Sequence, residues 1–341
     1  MRKNANSYDY LRVLAAYAVI LLHTAAPLLY LYNEIPFENW MIGNIFDSLV
    51  RWCVPVFIML SGAFLLDPSR NETIHSFLQR RMDKILIPFL AWSLIYYFYY
   101  AINYNREISV ESLIRNILNN EITNHLWYIY ILIGLYLITP VIRIFIKYSN
   151  KSILLYFLTL WFIGNSVFNL IDHLFNLNIY FDFVIDDYLG YYLLGYFLRT
   201  ERLNKKTTLT IYASALICIF ITIFGTYFDT VNNGGNIVGF YYNYLSPNTV
   251  IISVAIFLLF RNLNTSATKL KSLIYFISQR SFGIYLIHIL IQRILSEVFN
   301  FNHFSFHPLI SIPLVSIVIF ALSCISVFVL QKIPFIKKIV P

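Results

Sequence analysis

The sequence predicts an all-α, polytopic membrane protein of about ten transmembrane helices, with both termini on the cytoplasmic side and no appended soluble domain. Three observations predict it. Of 341 residues, 59% are hydrophobic and only 12% are charged, about half the charged share of an ordinary soluble domain. Ten apolar runs have roughly the length needed to cross ~30 Å of hydrocarbon. Lys and Arg gather in alternate connections between those runs, as the positive-inside rule requires. A soluble chain with 30 Phe and 27 Tyr could not cover its core with so few polar side chains. A lipid-facing exterior removes that need.

The runs are 11–31, 45–66, 85–101, 126–146, 153–170, 183–198, 209–228, 237–260, 273–294 and 308–330. The first is too long for the core of a cleavable signal peptide. Glu34, Pro36 and Phe37 follow it in place of a small-residue cleavage site, so it reads as a retained helix. The sixth is the shortest and has Asp186 and Asp187 at its start. The eighth carries Asn243, Ser246 and Pro247, which predicts a kink or a later start. The longest outer connection, 102–125, has room for a small amphipathic helix around 109–118. No low-complexity stretch or internal repeat is visible, so one membrane domain is expected over 1–341.

With the N-terminus inside, the inner segments hold Arg2, Lys3; Arg70, Arg80, Arg81, Lys84; Arg143, Lys147, Lys151; Arg199, Arg202, Lys205, Lys206; Arg261, Lys269, Lys271; and Lys332, Lys337, Lys338. These are 19 of the 25 basic residues. Arg106, Arg115 and Arg293 lie outside; Arg12, Arg51 and Arg280 fall within or at the ends of helices. A wrong helix count would scramble this pattern downstream of the error. The net charge of +8 is therefore largely a topology signal, and no nucleic-acid partner is expected. The expected partner is the lipid bilayer; the pattern carries no signal of oligomeric state. Cys53, Cys218 and Cys324 each sit in an apolar run, which suits small buried hydrophobes better than a disulfide framework or a metal site.

Ionisable residues inside a bilayer are costly and mark candidate functional sites. Arg12 and His23 are eleven residues apart, so on a helix they share one face and are separated by ~16 Å along the axis. A fixed cation lies below and an imidazole, able to act as a general base near neutral pH, lies above. Alternatively, Arg12 reaches the cytoplasmic headgroups and His23 is a satisfied buried polar group. In the ninth run, Ser281, Tyr285 and His288 occur at i, i+4 and i+7. That face either lines a cavity or supplies interhelical hydrogen bonds. In the second run, Ser61-Gly62 permits close helix packing, and Asp47 and Arg51 are one turn apart, a spacing that a local ion pair explains. Arg80, Arg81 and Lys84 could hold the phosphates of a cofactor or be ordinary inner-side charge. His125, within Asn124-His-Leu-Trp-Tyr128, could line an acceptor site or join the interfacial aromatic belt. Asp172, Asp182, Asp186 and Asp187 make the outer ends of the fifth and sixth runs acidic, as a sugar-binding rim or as solvated loop charge.

These residues, in this order, resemble the acyltransferase-3 family of integral membrane O-acyltransferases. Asp9-Tyr-Leu-Arg12 followed by His23 is similar to its opening Asp-x-x-Arg…His signature. The stretch from Pro55 through Ser61-Gly62 to Phe64 resembles its Pro-x-Phe-Phe-x-x-Ser-Gly element, and Arg80-Arg81 through Pro88 its basic motif. His125-Leu-Trp, Tyr136-Leu-x-x-Thr-Pro140 and Ser281-Phe-Gly-Ile-Tyr-Leu-Ile-His288 resemble later elements. Two positions depart from the pattern. Tyr10 and Val13 stand where the opening motif commonly has Gly, as in the branch that modifies enterobacterial common antigen and biofilm polysaccharide. Lys84 stands where the basic motif often has Arg, keeping charge without the bidentate fork.

The resemblance implies acetyl-CoA, or another acyl-CoA, as cytoplasmic co-substrate, and a hydroxyl of a cell-surface or lipid-linked saccharide as acceptor. It implies Arg12 and His23 as the essential pair, the basic motif and Arg12 as CoA contacts, no metal, and residence in a bacterial cytoplasmic membrane. His23 would act as general base or carry the acyl group. Ser281, Tyr285, His288, His125 and Ser61 would line a substrate cavity. Two other classes fit a polar membrane core: a transporter or flippase of a lipid-linked glycan, and a non-catalytic membrane partner. The sequence lacks the paired Gly/Pro-broken helices of many transporters.

Overall fold

The computed structural model describes residues 5–70, 72–179, 187–263 and 270–341, and every regular element among them is helical. Arg2, Lys3, Asp182, Asp186, Lys269 and the start of the sixth run lie outside the described residues. Helix α1 (Ser7–Leu29) begins at a capping box, in which the Asn6 side chain accepts from the Asp9 N–H and the Asp9 carboxylate accepts from the Asn6 N–H. It runs without a break past both Arg12 and His23.

The second run begins earlier than expected and is two helices, α2 (Phe37–Val50) and α3 (Cys53–Leu65), joined at Arg51-Trp52. Pro55 explains the joint: it has no N–H to bond the Arg51 carbonyl. Helix α4 (Ile74–Asn103) starts well before the expected span. The basic stretch expected in a loop therefore forms its first turns, and Pro88 lies inside the helix. The short α5 (Val110–Leu118) forms where an amphipathic helix was expected, with Ser109 as its N-cap. Helix α6 (Trp127–Tyr148) follows a single 3-10 turn at Asn124–Leu126. The fifth run becomes α7 (Lys151–Phe162) and α8 (Phe168–Phe175), continuous through one π turn.

The sixth run yields α9 (Leu189–Thr200), 12 residues long among the described residues. After α10 (Lys205–Asn232), α11 (Pro247–Arg261) starts late, as expected, with Pro247 in its first turn. The ninth run is divided at Gln279-Arg280 into α12 (Lys271–Ser278) and α13 (Ser281–Phe299); α14 (Pro308–Leu330) completes the bundle. Among the described residues, eight helical segments are long and apolar enough to span a membrane, with α2 and α3 counted together. Among the described residues, the sixth and eighth runs give α9 and α11, helices shorter than these eight and packed among them. The protein is a polytopic, all-helical membrane protein.

Helix α1 lies at the centre, packed against α2, α3, α11, α12, α13 and α14. This is why its polar side chains meet protein rather than lipid. Around it the outer helices present large apolar side chains, such as Phe220, Phe224, Ile310 and Ile317, that stay exposed in the isolated chain and suit hydrocarbon. The tightest packing is between α3 and α9. A Cβ at Gly62 would lie 1.8 Å from the Tyr192 carbonyl oxygen, and one at Gly195 would lie 1.9 Å from that of Met59. Two backbones meet there only because both residues are glycine.

Candidate functional site

Arg12 is held at one end of α1 by its neighbours. The break before α13 leaves Ser278 at the end of α12, where its hydroxyl donates to Asp9 Oδ1 at 2.9 Å and accepts from Arg12 Nη1 at 3.3 Å. Arg12 Nη1 also lies 3.7 Å from Asp9 Oδ1. Asp9 therefore caps the helix, orients Ser278 and balances Arg12 at once. Ser281 donates to the Ser278 carbonyl and so belongs to this lower level.

Tyrosines fill the interval between Arg12 and the upper half of α1. Tyr128 and Tyr136 of α6 are buried and flank Ser61, whose hydroxyl donates to the Phe57 carbonyl at 3.0 Å. Tyr285 of α13 packs edge-on against Tyr128, with ring centroids 5.5 Å apart, and donates its hydroxyl to the His125 carbonyl. Above it three imidazoles converge: His288 lies 5.3 Å from His23 and 5.2 Å from His125 between ring centroids. His288 and His125 are buried, and His23 is half-buried.

The hydrogen bonds assign His288. Its Nδ1 lies 2.6 Å from the Tyr285 carbonyl, which can only accept, so Nδ1 carries the proton. His288 Nε2 is then an acceptor, and it is buried without a hydrogen-bond partner. His125 pairs Nδ1 with the Thr123 hydroxyl at 3.3 Å, and its Nε2 is likewise unpartnered. Among the described residues, no group of His, Cys, Asp or Glu is placed to hold a metal ion.

A cavity of about 940 Å³ opens beside these rings, at the end of the bundle away from Arg12. His23 and His125 line it, with Gln292, Trp127, Tyr244 and Arg51. Gln292 donates to the His23 carbonyl at 2.9 Å, fixing α1 against α13 at the cavity wall. Of the expected cavity residues, Ser61, Ser281, Tyr285 and His288 do not line it. Tyr285 and His288 stand behind the histidine wall, and Ser61 and Ser281 lie towards Arg12.

The basic motif divides. Arg80 is exposed, ion-paired with Glu72, and donates from Nε to the Ser76 carbonyl at 3.0 Å. Lys84 is exposed, one turn along the same face. Arg81 is half-buried, over the Phe77 ring and towards Tyr136. Glu72 also accepts from Arg143 at 2.8 Å. Burial raises its pKa, but the hydrogen bond and charge of Arg143, with the charges of Arg80 and Arg70, outweigh this and hold the carboxyl below its ordinary value. Three arginines at this end close helix ends: Arg143 donates to the Leu65 carbonyl, Arg199 to that of Ala63, and Arg261 to that of Leu198.

The family model of the acyltransferase domain, acyltransferase 3, matches residues 6–328. The chain belongs to the acyltransferase-3 family. It is a membrane acyltransferase. No curated protein and no solved structure matches it. The matched span of this acyltransferase includes the whole polar column from Asp9 and Arg12 to His23 and His288. One feature of the acyltransferase is not visible in its sequence. The Asp47–Arg51 ion pair forms as the spacing suggests, but Arg51 also lines the cavity beside His23. The only signal for this was an arginine at the outer end of an apolar run, ahead of the proline that breaks it.

Proposed function

We propose that this acyltransferase moves an acetyl group from cytoplasmic acetyl-CoA to a hydroxyl of a cell-surface or lipid-linked glycan. The carrying observation is that His23 joins the two halves of the site. It is on the cavity wall, its ring abuts His288, and its helix carries Arg12 at the other end. In this reading the termini and the basic end face the cytoplasm of a bacterial cell. The protein is of the kind that modifies enterobacterial common antigen or biofilm polysaccharide.

The acceptor hydroxyl enters the cavity and gives its proton to the His23 imidazole as its oxygen attacks the thioester carbonyl. The tetrahedral intermediate collapses, the carbon–sulfur bond breaks, and the imidazolium returns the proton to the CoA sulfur. His288 holds the His23 ring from behind, its own orientation fixed by the Tyr285 carbonyl. At the other end, Arg81 and Arg12 receive the donor's phosphates and pantetheine, with Arg80 and Lys84 adding charge at the mouth. The donor reaches His23 along α1, through the level held by Tyr128, Tyr136 and Tyr285, so these rings must move aside when it binds.

The test is acetyl transfer by purified protein in nanodiscs, with radiolabelled acetyl-CoA and a panel of glycans. Acceptor-dependent release of CoA supports the proposal. No turnover and no acetyl-CoA binding would favour a transporter.

A further inference from the structure

The cavity wall has a charge pattern that acyl transfer to a neutral hydroxyl does not require. Four arginines belong to this end of the molecule: Arg51, Arg106, Arg115 and Arg293. Three line the cavity, and the fourth, Arg115, is an exposed partner of Glu111 on α5. Arg106 and Arg293 are exposed at the mouth, whereas Arg51 lies inside, its side chain 15% exposed.

The neutralising carboxylates sit behind. Asp47 is fully buried and takes the Arg51 Nε, and the guanidinium lies over the Tyr242 ring at 4.2 Å. No described residue accepts from the terminal nitrogens of Arg51. Glu297 sits one turn beyond Arg293 and accepts hydroxyl bonds from Tyr99 and Tyr104. Neither Asp47 nor Glu297 lines the cavity; Glu121 is the one carboxylate among the described residues that does. A guanidinium held by a carboxylate at one edge and by a ring at its face presents its remaining N–H groups in a fixed fork. That fork matches a carboxylate or phosphate.

We propose that the cavity takes an anionic acceptor, and that Arg51 is the specificity-determining residue, binding a carboxylate or phosphate of the saccharide while a hydroxyl lies at His23. Arg106 and Arg293 draw that charge in at the mouth. This rests on the acyl-transfer reading for the role of the ligand, but not for its binding.

The experiment therefore measures binding and transfer separately, in neutral phosphatidylcholine nanodiscs. The probes are methyl glucoside, methyl glucuronoside and glucose 6-phosphate. Calorimetry without acetyl-CoA reads binding, and radiolabelled acetyl-CoA reads transfer. Arg51→Gln alone would strand the buried Asp47 charge, so the variant is the double Asp47→Asn/Arg51→Gln. A second double variant, Arg106→Gln/Arg293→Gln, alters only exposed side chains. The expected result is that an anionic probe binds more tightly than methyl glucoside. The Arg51 variant should lose that preference by about 10- to 100-fold, the range of a charged hydrogen bond, and the mouth variant should weaken it at low salt. Preference for one anion over the other assigns carboxylate or phosphate. Anion binding without transfer would retain this site and reject the acyl-transfer reading. Equal affinity for all three probes, or an anion preference untouched by both variants, would overturn the proposal.

Discussion

His23 carries the chemistry in this account, and its replacement should be specific. His23→Ala removes a half-buried ring from the cavity wall without taking a hydrogen-bond partner from a buried group. Transfer should fall by about 10²–10⁴-fold, the usual worth of a general base, while acetyl-CoA affinity is retained. Single-turnover kinetics beside donor binding check both. Tyr285→Phe deletes the hydroxyl that ties α13 to the His125 carbonyl but leaves the ring. It should lower kcat several-fold without raising the KM for acetyl-CoA, because the donor phosphates are bound at the far end and a ring freed of this bond moves aside more readily for the donor. At this scale the sequence was partly legible. Eleven-residue spacing placed Arg12 and His23 on one face of a helix, and that helix is unbroken. The meeting of His23, His125 and His288 was not legible, since it depends on how three distant segments pack. Nor did a one-turn Asp47–Arg51 spacing reveal that the cation also faces a cavity.

Helix boundaries show where periodicity runs out. Hydropathy located the ten runs, yet several of the helices continue beyond their apolar stretch or break inside it. The basic stretch is helical because α4 extends past the lipid-facing residues that hydropathy detects. The second run divides at the residue left unbonded by Pro55, and the ninth divides where Ser278 turns to meet Asp9. The close approach of α3 and α9 was foreshadowed by Ser61-Gly62, but its partner Gly195 was not. Gly195→Ala puts a methyl group 1.9 Å from the Met59 carbonyl oxygen. It should cost about 1–3 kcal/mol, as overpacking does, and lower the melting temperature in detergent; an unchanged melting temperature would show that the two helices move apart freely. Glu72 adds a pH-dependent link. Its folded pKa lies below the ordinary value, so its stabilisation is full above about 4.3 and lost as pH falls through the lower folded value. Glu72→Gln should melt earlier than the parent at pH 7, and the two curves should converge in acid.

Over the whole molecule, charge distribution was the most legible feature. Arg143, Arg199 and Arg261, each from a connection expected to be basic, meet at one end, where they close helix ends. The cavity opens at the other. The single substitutions Lys338→Cys and Asn300→Cys test the orientation, since the native cysteines are buried or half-buried. The thiol of the Lys338→Cys variant should react with an impermeant maleimide only after the cytoplasmic face is opened. That of the Asn300→Cys variant should react in intact cells. What the sequence could not show is that the polar column is closed midway by tyrosines, because their convergence is a property of the packed bundle. The central claim is that one bundle receives acetyl-CoA at the Arg12 end and transfers its acetyl group at His23. Its most direct test measures acetyl-CoA binding and acceptor-dependent acetyl transfer side by side, in nanodiscs, for the parent and His23→Ala. The account predicts unchanged binding and lost transfer in the variant. Full turnover by a folded His23→Ala would contradict it.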